Sequence, residues 1–256
     1  MTSEELLLAR PGQAPHYLYA MLNPLATPNP VQHWCEQGWA AEQIPLYILT
    51  PMESILPASP WLLQIQPECL HQVLAWCDAQ TSPSWGWLYA SPQAWWAQRQ
   101  HWQNYLRIVI DGDLRAVRFQ DPRILSLWLA EPQEALWHGL LAPIATVFLS
   151  RTEIYQRPVA WQPLNDAFPW ALPDPLSHAW HDSPLGQENK ILELTLALWE
   201  QDPAQAEEWE AHAPLSVQLQ RWLQAWLADG GRVREATLPT AQAWLKTRDN
   251  TMKRQA

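Results

Sequence analysis

Short apolar runs alternate with proline-marked helix starts from residue 17 to about residue 150. Tyr17–Leu22 and Trp61–Ile65 are apolar runs of strand length with few polar interruptions, as is typical of buried strands. Asn29-Pro30 places a capping side chain directly before a proline, the pattern of a helix N-terminus. This alternation predicts an α/β fold for the first part of the chain, with a mixed sheet and flanking helices.

Residues 106–119 carry the clearest local signal in the sequence, that of a β-hairpin. Two β-prone stretches flank Asp111-Gly112, a dipeptide that readily adopts the positive φ angles of a tight hairpin turn. The same kind of reasoning predicts further strands at 46–49, 85–90 and 144–149, a helix at 67–80, and another helix that starts at Ser91-Pro92.

The character of the sequence changes after residue 150. Residues 151–186 are rich in proline and tryptophan and show no periodicity, which predicts a connecting segment. From residue 187 onward apolar residues recur at helical spacing, and Gly230-Gly231 ends one of these helices. We therefore expect an α/β domain over residues 1–150, a connecting segment over 151–186 and an all-helical lobe over 187–256.

Composition excludes several classes of protein. The chain of 256 residues has 16 basic and 26 acidic residues, a net charge of −10, and it has no basic stripe that could bind nucleic acid. No uncharged apolar run is long enough to span a membrane. The acidic first residues and the short apolar run at 6–9 do not resemble a secretory signal, so we expect a cytoplasmic protein.

Candidate catalytic and metal-binding residues are few. The sequence has no nucleophile elbow, no HExxH helix and no glycine-rich phosphate loop, and its three cysteines form no CxxC pair. His178, His181 and Asp182 have the only metal-like spacing, but prolines surround them and a stable helix is not expected there. We therefore predict a solvated polar loop at this place, with no metal, no cofactor and no catalytic residue.

One constellation stands out, at the junction between the predicted hairpin and the next helix. Asp121 can cap that helix through its carboxylate, and Pro122 can occupy the first helical position, where no N–H is needed. Arg118 or Arg123 can then pair with the Asp121 carboxylate through a planar, bidentate contact. The segment supplies no nucleophile or base, so we interpret it as a structural corner.

These residues also resemble a known family, the adaptor or chaperone proteins encoded beside type VI secretion spike proteins (VgrG) and their toxic effectors. The resemblance covers roughly residues 17–150, with the motifs in the family's order. Tyr105 stands where the family usually has His, and Asn23 where it usually has Asp. The matching residues are Arg118, Phe119, Asp121, Pro122, Arg123 and Leu125 at the corner, Trp85-Gly86 with Ser91, Leu106-Arg107, Tyr19 to Leu22, and Gly139 with Pro143-Ile144.

The resemblance implies a fold and a function for this chain. It implies a non-enzymatic adaptor that binds a secreted toxic effector protein and couples it to the VgrG spike protein, with no cofactor. Two alternatives remain: a tryptophan-rich module that binds carbohydrate or another ligand, and a metal-dependent hydrolase built around His178 and His181. Under the adaptor interpretation, Arg107, Arg118, Asp121, Pro122 and Arg123 form a structural signature.

Tryptophan is unusually abundant, with 19 residues against three phenylalanines. Tryptophan is enriched both in cores and at the centres of protein interfaces. The helical lobe contributes no motif of the family, as expected for a part that varies with the effector. We therefore predict effector contacts at Trp199, Trp209, Trp222 and Trp226, with a tryptophan-rich core as the alternative.

Overall fold

The computed structural model describes residues 16–131, 134–158 and 168–253. The chain divides into two compact units, one up to Leu176 and one from Ser177 onward. This boundary lies inside the predicted connecting segment 151–186. The N-terminal residues 1–10, on which the expected lack of a secretory signal rests, and residues 159–167 of the connecting segment lie outside the described residues.

A six-stranded sheet forms the centre of the first unit, in the order β2-β3-β1-β4-β7-β8. The predicted α/β fold class is confirmed, although the pairings of this sheet are all antiparallel where a mixed sheet was expected. Apolar runs report burial but carry no information on strand direction, which depends on how the connections cross the sheet. The strands are β1 (Tyr17–Leu22), β2 (Ala40–Pro45), β3 (Trp61–Ile65), β4 (Gly86–Ser91), β7 (Thr146–Phe148) and β8 (Ile154–Gln156).

The predicted strand at 46–49 is wrong, because these residues form a turn and the strand is β2, directly before them. Leu46 is buried, but its N–H donates to the Pro60 carbonyl at the end of the pairing with β3. Leu49 is 79% exposed and has a φ of 57°, which a β-strand does not allow. The apolar composition of 46–49 thus reflects burial of its first residues and not strand pairing.

The predicted hairpin is confirmed as β5 (Arg107–Ile110) and β6 (Asp113–Ala116), a separate two-stranded sheet. Asp111 and Gly112 have φ values of 52° and 88°, as a tight turn between two strands requires. The other edge of β5 is also occupied, since Val109 exchanges two backbone hydrogen bonds of 2.8 Å with the stretch after residue 168.

Helices flank the sheet, and the one after β1 has the cap and the stop that its sequence predicts. The Asn29 side chain accepts from the backbone N–H groups of Val31 and Gln32, and Gly38 ends the helix with a φ of 66°. The helix expected from Ser91-Pro92 begins only at Trp95, because Ser91 is the last residue of β4. The helices of this unit are α1 (Pro30–Gln37), α2 (Leu70–Ala79), α3 (Trp95–Asn104), α4 (Pro122–Ala130) and α5 (Glu134–His138).

Both faces of the sheet are buried, as the alternation along β1 shows. Leu18, Ala20 and Leu22 belong to one apolar cluster, which also contains Trp34, Trp39 and Trp85. Tyr19 points the other way and stacks on Tyr89, with ring centroids 5.1 Å apart. Burial on both faces explains why β1 and β4 are continuous apolar runs in the sequence.

The second unit is helical. Its core combines leucines with two tryptophans, Trp209 and Trp222, both buried. None of the helices in the described parts of the chain is long and apolar enough to cross a membrane. The helices are α6 (Asp174–Asp182), which begins just before the boundary, α7 (Pro184–Gln201), α8 (Pro203–Glu210), α9 (Leu215–Ala228) and α10 (Leu238–Lys253).

Candidate functional site

Asp121 and Arg123 stabilise the corner between the hairpin and α4 through a helix cap and an ion pair. The buried Asp121 Oδ1 accepts from the backbone N and from Nε of Arg123, at 3.1 and 2.9 Å. Its Oδ2 accepts from Arg123 Nη2 at 2.7 Å. Pro122 occupies the first turn of α4, as the sequence predicts. Of the two arginines that could pair with Asp121, Arg123 makes the bidentate contact that the structure records.

Aromatic residues attach this corner to the sheet. Trp87 Nε1, on β4, donates to the Phe119 carbonyl at 2.7 Å. The Phe119 ring stacks on Trp102 of α3, with centroids 4.9 Å apart. Trp87, Trp102 and Phe119 are fully buried. A displaced corner would therefore break both an indole hydrogen bond and an aromatic contact inside the core.

Arg107 and Arg118, the other two arginines of the predicted signature, are exposed. Arg107 begins β5, opposite Ala116 of β6. The Arg118 side chain helps to line a cavity of about 410 Å³ beside the corner, which we call the corner pocket. Its lining includes Asn23, Leu25, Thr27, Ser84, Arg118, Gln120, Asp121 and Arg123.

The corner pocket has a polar lining with two arginines and the Asp121 carboxylate, which pairs with Arg123. Asn23, which stands where the family usually has Asp, donates to the Ser84 carbonyl at 3.0 Å and accepts from the Leu25 N–H at 3.1 Å. Gln120 is 3% exposed, and its Oε1 has no hydrogen-bond partner among the described residues. This lining can bind acidic or amide groups of a protein surface, and it includes no pair of groups arranged for acid–base chemistry.

His178 and His181 lie on a helix, so the expectation of an unstructured polar loop is wrong. The prolines nearby precede α6 or fall in the first turn of α6 or of α7, where a missing N–H costs no hydrogen bond. Arg234 Nη1 lies 2.9 Å from His178 Nε2, and because the guanidinium can only donate, this ring nitrogen accepts. Within the described residues no group of three or more His, Cys, Asp or Glu side chains could hold a metal ion.

The four tryptophans proposed as effector contacts have unequal exposure. Trp209 and Trp222 are each 3% exposed and lie in the core of the helical unit. Trp226 is half-buried, and its Nε1 donates to the Arg232 carbonyl at 3.0 Å. Trp199, on α7, is 37% exposed. Trp199 is therefore the most accessible of the four to a partner, whereas contact with Trp209 or Trp222 would require the core to open.

Trp199 has apolar neighbours on the surface that the site predictions omitted. Leu192 and Leu196, at 56% and 54% exposure, precede it on the same face of α7 at spacings of four and three residues. We call Leu192, Leu196 and Trp199 the α7 stripe. The sequence could have indicated this stripe, because α7 has apolar residues on two opposite faces. A helix on the surface of a unit needs only one apolar face to pack on the core.

Comparison with known proteins finds a match for the first unit only. No curated protein matches the chain, and no solved structure matches it. One family model matches, with the description "Domain of unknown function (DUF4123)", and the match covers residues 18–138. This range contains β1 to β6, the corner and the corner pocket. Over residues 18–138, just under half of its length, the chain is thus similar to the DUF4123 family.

Proposed function

We propose that this protein is a non-enzymatic adaptor of the type VI secretion system, which binds a cognate effector in the cytoplasm and couples it to the VgrG spike protein. The main support is that the DUF4123 match covers most of the residues that resemble the adaptor family, the Asp121–Arg123 corner among them. The absence of catalytic sequence motifs agrees with a role in binding.

The two units have separate roles in this proposal. The first unit contacts VgrG through the exposed Arg107 and Arg118 and the corner pocket, because these side chains lie within the region similar to the family. The helical unit contacts the effector, because it lies outside that region and has an exposed tryptophan. Asp121, Pro122 and Arg123 have a structural role and hold the corner in place.

Co-expression with a type VI effector and a VgrG protein from the same organism tests the proposal. The tagged protein should elute with the effector in size-exclusion chromatography, and with VgrG when all three are present. An effector from an unrelated secretion cluster serves as the specificity control. Failure of the folded protein to bind either partner would refute the adaptor function.

A charge reversal in the corner region tests the proposed division of roles. Arg118→Glu should abolish VgrG binding while effector binding persists, because an acidic side chain would repel the acidic groups that the arginine attracts. Arg115→Glu is the matched control, since Arg115 is an exposed arginine on the adjacent hairpin, where it pairs with the exposed Asp113. Equal VgrG binding by wild type and Arg118→Glu would contradict a contact at this pocket.

A further inference from the structure

Helix α7 exposes an apolar stripe that its own unit does not cover. Its inner face packs into the helical core through Leu194 and Leu198, which are 4% and 1% exposed. The α7 stripe of Leu192, Leu196 and Trp199 lies on the opposite face. A surface helix needs only one apolar face for folding, so the second one requires another explanation.

The charges around the α7 stripe are acidic. Glu188, Glu193 and Glu200 are all exposed on α7, and they border the stripe along the helix. Lys190 is the single basic residue in the sequence of α7; it is largely buried and pairs with Glu193 at 3.2 Å. Because Lys190 compensates Glu193, Glu188 and Glu200 give the stripe its negative rim, on a chain with a net charge of −10.

We propose that the α7 stripe is the docking surface for an amphipathic helix of the effector, whose apolar face is bordered by lysine or arginine. Three side chains at i, i+4 and i+7 extend over about 10 Å, or two helical turns, which suits the apolar positions of a helical ligand. The acidic rim selects basic flanks on this ligand. The identity of the partner as the effector rests on the proposed adaptor function.

The same rim disfavours a second copy of this chain as the occupant. Pairing α7 with another α7 would place Glu188 and Glu200 beside the same acidic residues of the other copy. Like charges brought together at an interface oppose association, and most strongly at low salt. A basic helix replaces this repulsion with attraction while it covers the same apolar side chains.

Two synthetic peptides of identical apolar pattern test the chemistry directly. Both have leucine at i, i+4 and i+7 of a helix-forming sequence, one with lysine flanks and the other with glutamate flanks. In fluorescence anisotropy with the full chain, the lysine-flanked peptide should bind and the glutamate-flanked peptide should not. Binding should weaken as NaCl rises from about 50 to about 300 mM, because salt screens the acidic rim. Equal binding of the two peptides would refute the proposed selectivity.

Variants locate the binding to the stripe. Leu196→Glu should weaken binding of the lysine-flanked peptide by about tenfold or more, the usual effect of losing a central apolar contact. Val217→Glu is the matched control, because Val217 is an exposed apolar residue on α9, at 37% exposure, and should bind as wild type does. The double variant with Glu188→Lys and Glu200→Lys should reverse the preference and bind the glutamate-flanked peptide more tightly than the lysine-flanked one. Unchanged binding by a folded Leu196→Glu protein would overturn the inference.

Two further measurements separate this inference from the adaptor proposal. If wild-type protein is a dimer that Leu196→Glu converts to a monomer, a second copy occupies the stripe and the inference is wrong. If Leu196→Glu binds the effector as well as wild type does, the stripe is not the effector contact, although the adaptor function stands. If wild type binds the lysine-flanked peptide selectively but no effector, the adaptor proposal fails and the stripe remains a site for basic helices.

Discussion

Removal of the Asp121 carboxylate tests how much the corner contributes to stability. In the structure this carboxylate caps α4 through the Arg123 backbone N–H and binds the Arg123 guanidinium at 2.9 and 2.7 Å. Loss of a helix cap costs about 1 kcal/mol. The Arg123 side chain is 44% exposed, so solvent reduces the contribution of the ion pair to about 0.5–1 kcal/mol. Asp121→Ala should therefore lower the free energy of unfolding by about 1.5–2 kcal/mol.

Urea denaturation followed by tryptophan fluorescence measures this change, since Trp87 and Trp102 contact the corner through Phe119. Arg123→Gln removes the guanidinium but leaves the cap, so it should cost about half as much. The control is Arg115→Ala, which breaks a pair whose side chains are 54% and 68% exposed and should cost less than about 0.5 kcal/mol. An Asp121→Ala protein as stable as wild type would refute the structural role of the corner, as would an equal loss in the control.

Three further predictions concern the cores of the two units. Trp222→Ala should lower the free energy of unfolding by about 3–5 kcal/mol, because the ring is buried. Trp199 is 37% exposed, so Trp199→Ala should lower it by less than about 1 kcal/mol, and thermal unfolding distinguishes the two variants. Burial lowers the pKa of His101 from 6.5 to about 4. Between these two pH values the unfolded state binds more protons than the folded state, so the free energy of unfolding should fall as the pH decreases from 6.5 to about 4. His101→Gln should remove that part of the pH dependence in denaturation at several pH values. Gly86→Ala should prevent or severely weaken folding, because a Cβ at this position would lie 2.1 Å from the Met21 carbonyl oxygen. The φ of Gly86, 139°, is also one that other residues rarely adopt, and soluble yield and circular dichroism measure the loss of folded protein.

The elements that the sequence predicted correctly depend on interactions between near neighbours. The hairpin follows from Asp111-Gly112, whose positive φ values the structure confirms. The start of α4 follows from Asp121-Pro122, and the cap is present. In both cases the residues that decide the conformation are adjacent in the chain, so their effect does not depend on the rest of the fold.

Two of the predictions that failed concern residues whose burial or pairing comes from distant parts of the chain. Residues 46–49 are apolar because Leu46 and Tyr47 are buried, and nothing local distinguishes this from a strand. Ser91 precedes a proline as a helix cap would, yet it completes β4 and its hydroxyl donates to the Pro143 carbonyl. Tertiary contacts outweighed the local preference in each case.

For the candidate sites, the sequence by itself determined which residue types are available and how they are spaced: an Asp-Pro-Arg corner, few groups suited to catalysis, and many tryptophans. The tertiary structure decided which of these side chains a partner can reach. It paired Asp121 with Arg123, exposed Arg118 at a pocket, buried Trp209 and Trp222, and left Leu192, Leu196 and Trp199 on the surface. The physical reason is that helical periodicity shows that α7 has two apolar faces, whereas only the packing of neighbouring helices determines which face is covered.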